Sequence, residues 1–108
     1  MEVATLGKTG FKVSRLGAGL AEIGMLSDVL AAGQLLNAAL DGGINFLDTA
    51  ACYGNSEEWI GRTISHRRGE FILATKAGHV TGGYEGQEWT AQTILDSIER
   101  SLARMKID

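Results

Sequence analysis

The sequence predicts an α/β chain in which an opening β-hairpin is followed by three β-α units on a parallel sheet. Three observations predict it. Short apolar runs alternate with longer stretches of helical periodicity. Glycine supplies the punctuation between them, with fifteen glycines and no proline in 108 residues. Ionisable residues stand just beyond the apolar runs, where parallel α/β folds collect function.

The hairpin comes first. Glu2 to Leu6 and Lys12 to Val13 flank Gly7-Lys8-Thr9-Gly10, two β-prone runs about a glycine-bounded polar turn. Ser14 to Leu20 then reads as a strand of small residues. Ser27 or Asp28 can cap a helix in which Val29, Leu36 and Leu40, with Leu30 and Leu35, give one apolar face. Gly42-Gly43 ends it.

Ile44 to Leu47 is the second strand, and Asn55 or Ser56 caps the next helix. Glu57 and Glu58 favour its dipole, and it runs to about Ser65. Glu70 to Thr75 is the third strand, apolar enough to be buried on both faces. A glycine-rich loop from Gly78 to Glu88 leads to Thr90, the cap of the last helix. Trp89 and Ile94 are placed to form a hydrophobic staple, and Ile94, Ile98, Leu102 and Met105 keep helical spacing. Three parallel strands amount to about three-eighths of an eight-stranded barrel.

Composition narrows the function classes. The chain is 44% hydrophobic and 21% charged, with a net charge of −3. It lacks the clustered basic face of a nucleic-acid binder, and His66-Arg67-Arg68 reads as a solvated turn. No apolar run is long enough to span a bilayer, and no signal-peptide pattern opens the chain. The lone Cys52 forms no internal disulfide, which fits a reducing cytoplasm, and reads as a small apolar filler. No metal-ligand set, GxGxxG turn or P-loop is present.

Asp48, Tyr53 and Lys76 stand at or just past strand ends. Adjacent parallel strands lie about 4.8 Å apart, so Asp48 and Lys76 can meet at one mouth, with Tyr53 looping over them. A phenol ionises near about 10, and a neighbouring ammonium favours its phenolate. Such a tyrosine could donate a proton to a carbonyl oxygen while a hydride reaches the carbon. Spacing alone leaves a structural alternative open: a buried Asp–Lys ion pair with a packing tyrosine.

The run GINFLDTAACYGNSEEWIG, Gly43 to Gly61, resembles the hallmark segment of the aldo-keto reductase superfamily. ILATKAG, Ile72 to Gly78, is similar to the segment carrying that family's lysine. LGKTGFKVSRLGAGLAEIG resembles its opening hairpin and first strand, and SIERSLARMKID the helix before its fourth strand. The resemblance implies a (β/α)8 TIM barrel, of which residues 1–108 would be a partial domain truncated before the fourth strand. It implies NADPH-dependent reduction of aldehydes or ketones, or the reverse oxidation of alcohols.

Carried over residue by residue, it makes Tyr53 the proton donor, tuned by Lys76 and Asp48, with Asp48 also near the nicotinamide ribose. Gly19, Leu20 and Ala21 would lie beside the cofactor, and Tyr84 and Trp89 would line the substrate pocket. The family's catalytic histidine follows its fourth strand; His66 and His79 stand elsewhere. The chain alone is therefore expected to be inactive. The competing expectation is a non-catalytic barrel fragment that binds partners or self-associates through open sheet edges.

Overall fold

A computed structural model describes all 108 residues, Met1–Asp108. Strands β1 (Val3–Thr5) and β2 (Lys12–Ser14) form the antiparallel hairpin, in register Val3↔Ser14 to Thr5↔Lys12. Gly7 and Gly10 have φ of 51° and 80°, the left-handed torsions that make glycine the natural residue at this turn. Asn45 bolts the hairpin to the start of the parallel sheet. Its Oδ1 accepts from Ser14 N at 2.6 Å, and its Nδ2 donates to Lys12 O at 2.9 Å.

The parallel sheet runs in the order β3 (Ala18–Gly19), β4 (Phe46–Asp48), β5 (Ile72–Ala74). Helices α1 (Val29–Asp41), α2 (Ser56–Thr63) and α3 (Ala91–Met105) pack in sequence, α1 on α2 and α2 on α3. Leu36, Leu47, Ile60, Ile64 and Met105, each at most 1% exposed, form the core between sheet and helices. The molecule measures 41 × 37 × 21 Å, a slab rather than a closed barrel.

Capping follows the sequence where a side chain can reach. Asp28 accepts from Leu30 N at 2.8 Å, and Thr90 Oγ1 accepts from Thr93 N at 3.2 Å. Asn55 stands at the start of α2 without a side-chain cap bond.

Several expectations are corrected. The first parallel strand pairs only over Ala18–Gly19, because Ser14 belongs to the hairpin and its hydroxyl donates to Leu16 O. Two 3₁₀ segments form: Glu22–Met25 after the first parallel strand, and Ser65–Glu70, which takes Glu70 from the start of the third strand and leaves that strand only Ile72–Ala74. The third strand is half-buried, since helices cover one face and no opposing wall covers the other. On α1, Leu30 and Leu35 are exposed, whereas Val29 packs partly buried against the core and Ala32, Leu36 and Leu40 are buried.

The last helix buries Met105 as its apolar spacing suggests and leaves Ile94 and Leu102 partly buried, but otherwise turns a neighbouring face inward. Thr93, Ser97, Ser101 and Met105 are buried, while Ile98 is 42% exposed. Small side chains let α3 lie close to α2, where a β-carbon on Gly61 would come within 2.3 Å of Arg104 O. Trp89, expected to staple onto Ile94, has φ of 62° and lays its ring on Gly78 and His79. Arg67, read as solvated, donates to Asn37, Asp41 and Glu70 and ties α1 to the second 3₁₀ segment. These bonds raise the Arg67 pKa and lower that of Glu70.

Candidate active site

Register brings two of the three ionisable residues, Asp48 and Lys76, to one end of the sheet. Gly19 pairs with Asp48, and Asp48 with Ala74, so all three parallel strands end level. Side chains alternate along a strand. Leu47 is fully buried under the helices, and Asp48 on the opposite face is half-exposed. Thr49 N donates to Ala74 O at 2.8 Å, which extends the β4–β5 ladder past the strand ends and leaves Lys76 two residues on.

Lys76 Nζ donates to Asp48 Oδ2 at 3.0 Å and to Thr49 O at 2.9 Å. It also sits 4.8 Å from the Tyr53 ring centroid, on the ring face. The hydrogen bond to Asp48 is the main cause raising the Lys76 pKa above its ordinary 10.5; desolvation opposes it, and Tyr53 adds to it. Lys76 and Asp48 side chains are 51% and 47% exposed, so this is no buried structural pair. A fixed ammonium on an accessible phenol can stabilise negative charge on that oxygen.

A second layer, which spacing did not reveal, holds these residues. Glu57 is 1% exposed. Its Oε1 accepts from Thr75 Oγ1 at 2.7 Å, and Arg104 donates to its other oxygen. Buried Thr49 and Ser56 share a hydroxyl–hydroxyl bond of 2.7 Å. The start of α2 is thus bonded to the chain beside Asp48 and beside Lys76. The signal was available: Glu57 shares an i, i+3, i+4, i+7 face with Ile60, Gly61 and Ile64, all on the inner side except that Glu57 carries charge.

The remaining expected residues are placed unevenly. Leu20 N donates to Asp48 O at 2.9 Å, so Gly19–Leu20 lies beside the aspartate, but the Leu20 side chain is in the core. Cys52 is exposed rather than a packing filler. It borders a recess of about 50 Å³ with Ala50, Lys76 and His79. Trp89 meets His79 edge to face at 4.6 Å between centroids, and Glu88 pairs with His79 at 3.4 Å. Tyr84 is not brought to the cluster; its ring lies on α3 with the Arg100 guanidinium 4.0 Å away. A larger apolar groove of about 310 Å³, between β3 and α1, is lined by none of the three ionisable residues and belongs to the open sheet edge. No helix is long and apolar enough to cross a membrane.

Comparison with known proteins gives a consistent result. The sequence profile described as Aldo/keto reductase family matches residues 15–108. The Bacillus subtilis (strain 168) oxidoreductase YqkF is 37% identical over 113 residues, covering 100% of this chain and 36% of its own. L-galactose dehydrogenase of Arabidopsis thaliana is 34% identical over 116 residues, covering 100% of this chain and 35% of its own. An aldo-keto reductase of Bacillus halodurans, solved in its holo form, superposes with a TM-score of 0.84 at 33% identity, covering 100% of this chain and 37% of that one. The chain therefore spans about a third of the length of the relatives it matches.

Proposed function

Since the chain belongs to the aldo/keto reductase family, we propose that it carries the proton-donating part of an NADPH-dependent carbonyl reductase. One observation carries this reading: the Lys76 ammonium bridges the Asp48 carboxylate and the Tyr53 ring at an accessible strand end. The substrate class is aldehydes and ketones, or their alcohols in reverse.

The residues fit a nicotinamide nucleotide. An added β-carbon on Gly19 would meet nothing within 4 Å, so a flat group has room to lie against the backbone beside Asp48. The exposed Asp48 carboxylate can accept from a ribose hydroxyl while it holds Lys76. Gly19, Leu20 and Ala21 would then border the cofactor through their backbone. When bound, the reduced nicotinamide supplies a hydride to the carbonyl carbon. Tyr53 supplies the proton to the carbonyl oxygen, and the two together complete the alcohol. Lys76 stabilises the phenolate that remains, and Asp48 and Thr49 fix Lys76 so that the ammonium need not reorganise. Trp89, one contact beyond the recess at Lys76, serves as a pocket wall. Tyr84 would reach it only after leaving Arg100.

The recess at Lys76 is about 50 Å³, far below the roughly 300–1,000 Å³ of pockets that enclose a small-molecule ligand. The isolated chain should therefore give no NADPH consumption with a reactive aldehyde. Joined in frame to the remainder of the Bacillus halodurans barrel, in place of the matched segment, it should turn over. Robust turnover by the isolated chain that disappears in Tyr53→Phe would overturn the first statement. A folded chimera without turnover would overturn the second.

A second reading rests on the exposed apolar residues Leu95 and Ile98 on α3 and on the unpaired edges of β3 and β5. They favour self-association of the isolated chain. A monodisperse monomer by sedimentation would contradict it.

A further inference from the structure

The bonds described above account for Lys76 and Asp48 but not for Tyr53. Tyr53 lies in the turn between β4 and α2, and nothing in its own turn fixes it laterally beyond Tyr53 N donating to Ala50 O and Ser56 N donating to Tyr53 O. A different segment supplies the constraint. The 3₁₀ segment Glu22–Met25, after β3, is pressed against the tyrosine turn through its backbone. Gly24 O accepts from Asn55 N at 2.9 Å, and Leu26 O accepts from Trp59 Nε1 at 2.9 Å.

The contact between them is close enough to exclude a side chain from both sides. A β-carbon on Gly24 would stand 1.7 Å from Tyr53 O and 2.7 Å from Tyr53 C. A β-carbon on Gly54 would stand 2.5 Å from Gly24 O. Gly54 has φ of 51°, so torsion also favours glycine there. Gly24 has no left-handed torsion, so it is required by space alone. We infer that Gly24 and Gly54 are positioning residues that set the Tyr53 phenol against Lys76 by letting two backbones interlock. The inference rests on the proposed role of Tyr53, and it deepens that role by naming what aims the proton donor.

The same segment begins at the strand end proposed to border the cofactor, since Gly24 N donates to Ala21 O at 3.2 Å. One backbone thus touches both the cofactor side and the tyrosine side. An alanine at position 24 must move the Tyr53 carbonyl by at least about 1.3 Å to reach the 3.0 Å limit of real β-carbon contacts. A misplacement of about 1 Å costs on the order of 100-fold in rate when the group must be oriented for reaction.

The test reads geometry in the full chain and does not depend on turnover. Lys76 Nζ lies over the Tyr53 ring, so the Lys76 ε-methylene proton signals are displaced by the ring current. Tyr53→Leu defines the undisplaced position. Gly24→Ala should move these signals most of the way to it, with the backbone amide spectrum of β4, β5 and α3 preserved. Gly69→Ala, where a β-carbon would meet nothing, should leave them unchanged. Retention of the displacement in a folded Gly24→Ala chain would overturn the inference. Where Gly24→Ala fails to fold, Gly54→Ala decides by the same signal. Loss of the fold in both variants also overturns it, because the glycines would then serve the fold as a whole. In the chimera with a completed barrel, Gly24→Ala should lower kcat about 100-fold with little change in the aldehyde KM. A chimera inactive before any substitution would remove the catalytic reading and leave the spectroscopic result standing.

Discussion

Replacing Arg104 by Met should destabilise the chain far more than its partly exposed position suggests. Glu57 is 1% exposed, whereas the Arg104 side chain is 27% exposed. Without the guanidinium, the carboxylate keeps only the Thr75 hydroxyl as partner. Breaking a buried ion pair from one side costs about 3–5 kcal/mol. Water can reach the vacated guanidinium position, so the lower end applies, about 3 kcal/mol. At a slope of about 1.5 kcal/mol per M, the urea midpoint should fall by about 2 M. The double variant Glu57→Met/Arg104→Met removes both charges and should recover much of that loss, since an apolar replacement of a buried pair is often neutral. Urea unfolding followed by circular dichroism measures all three variants. A cost below about 1 kcal/mol for Arg104→Met, or a double variant worse than the single, would refute the reasoning.

Two further outcomes follow from the same geometry. Lys76 has a folded pKa above 10.5, so its pairing contributes stability that is present below that value and lost as pH rises through the folded pKa. Asp48→Asn removes the main cause and should bring the Lys76 midpoint down, read by NMR titration of its ε-carbon; an unchanged midpoint would sink this account. Gly61→Ala places a β-carbon 2.3 Å from Arg104 O and should lower stability by about 1–3 kcal/mol despite alanine's better helix propensity, measured as a fall in Tm. An unchanged or raised Tm would show that α2 and α3 separate freely.

The meeting of Asp48 and Lys76 was legible in the sequence because parallel sheets obey simple geometry. Asp48 and Lys76 each follow a short apolar run, and level strand ends bring them to 3.0 Å. Caps at Asp28 and Thr90 were legible because they need one side chain and one local N–H. The buried face of α3 was not, because hydropathy favours Ile98 over Ser97 and Ser101, while close helix packing favours small residues. Glu57 read as a first-turn acid, since nothing local shows that Arg104, 47 residues away, will meet it. Tyr84 went to α3 because Arg100 offers its ring a cation that a loop pattern does not reveal. The interlock at Gly24 depends on two turns meeting, which the spacing within either one does not report.

The central claim is that Tyr53 donates the proton. Its most direct measurement is NADPH-linked aldehyde reduction by the chimera with a completed barrel, compared with the same protein carrying Tyr53→Phe, a change that removes one oxygen and keeps the ring over Lys76. The account predicts a loss in kcat of about 10²–10⁴-fold, the usual contribution of a positioned general acid. A Tyr53→Phe chimera that turns over as fast as its parent would contradict it.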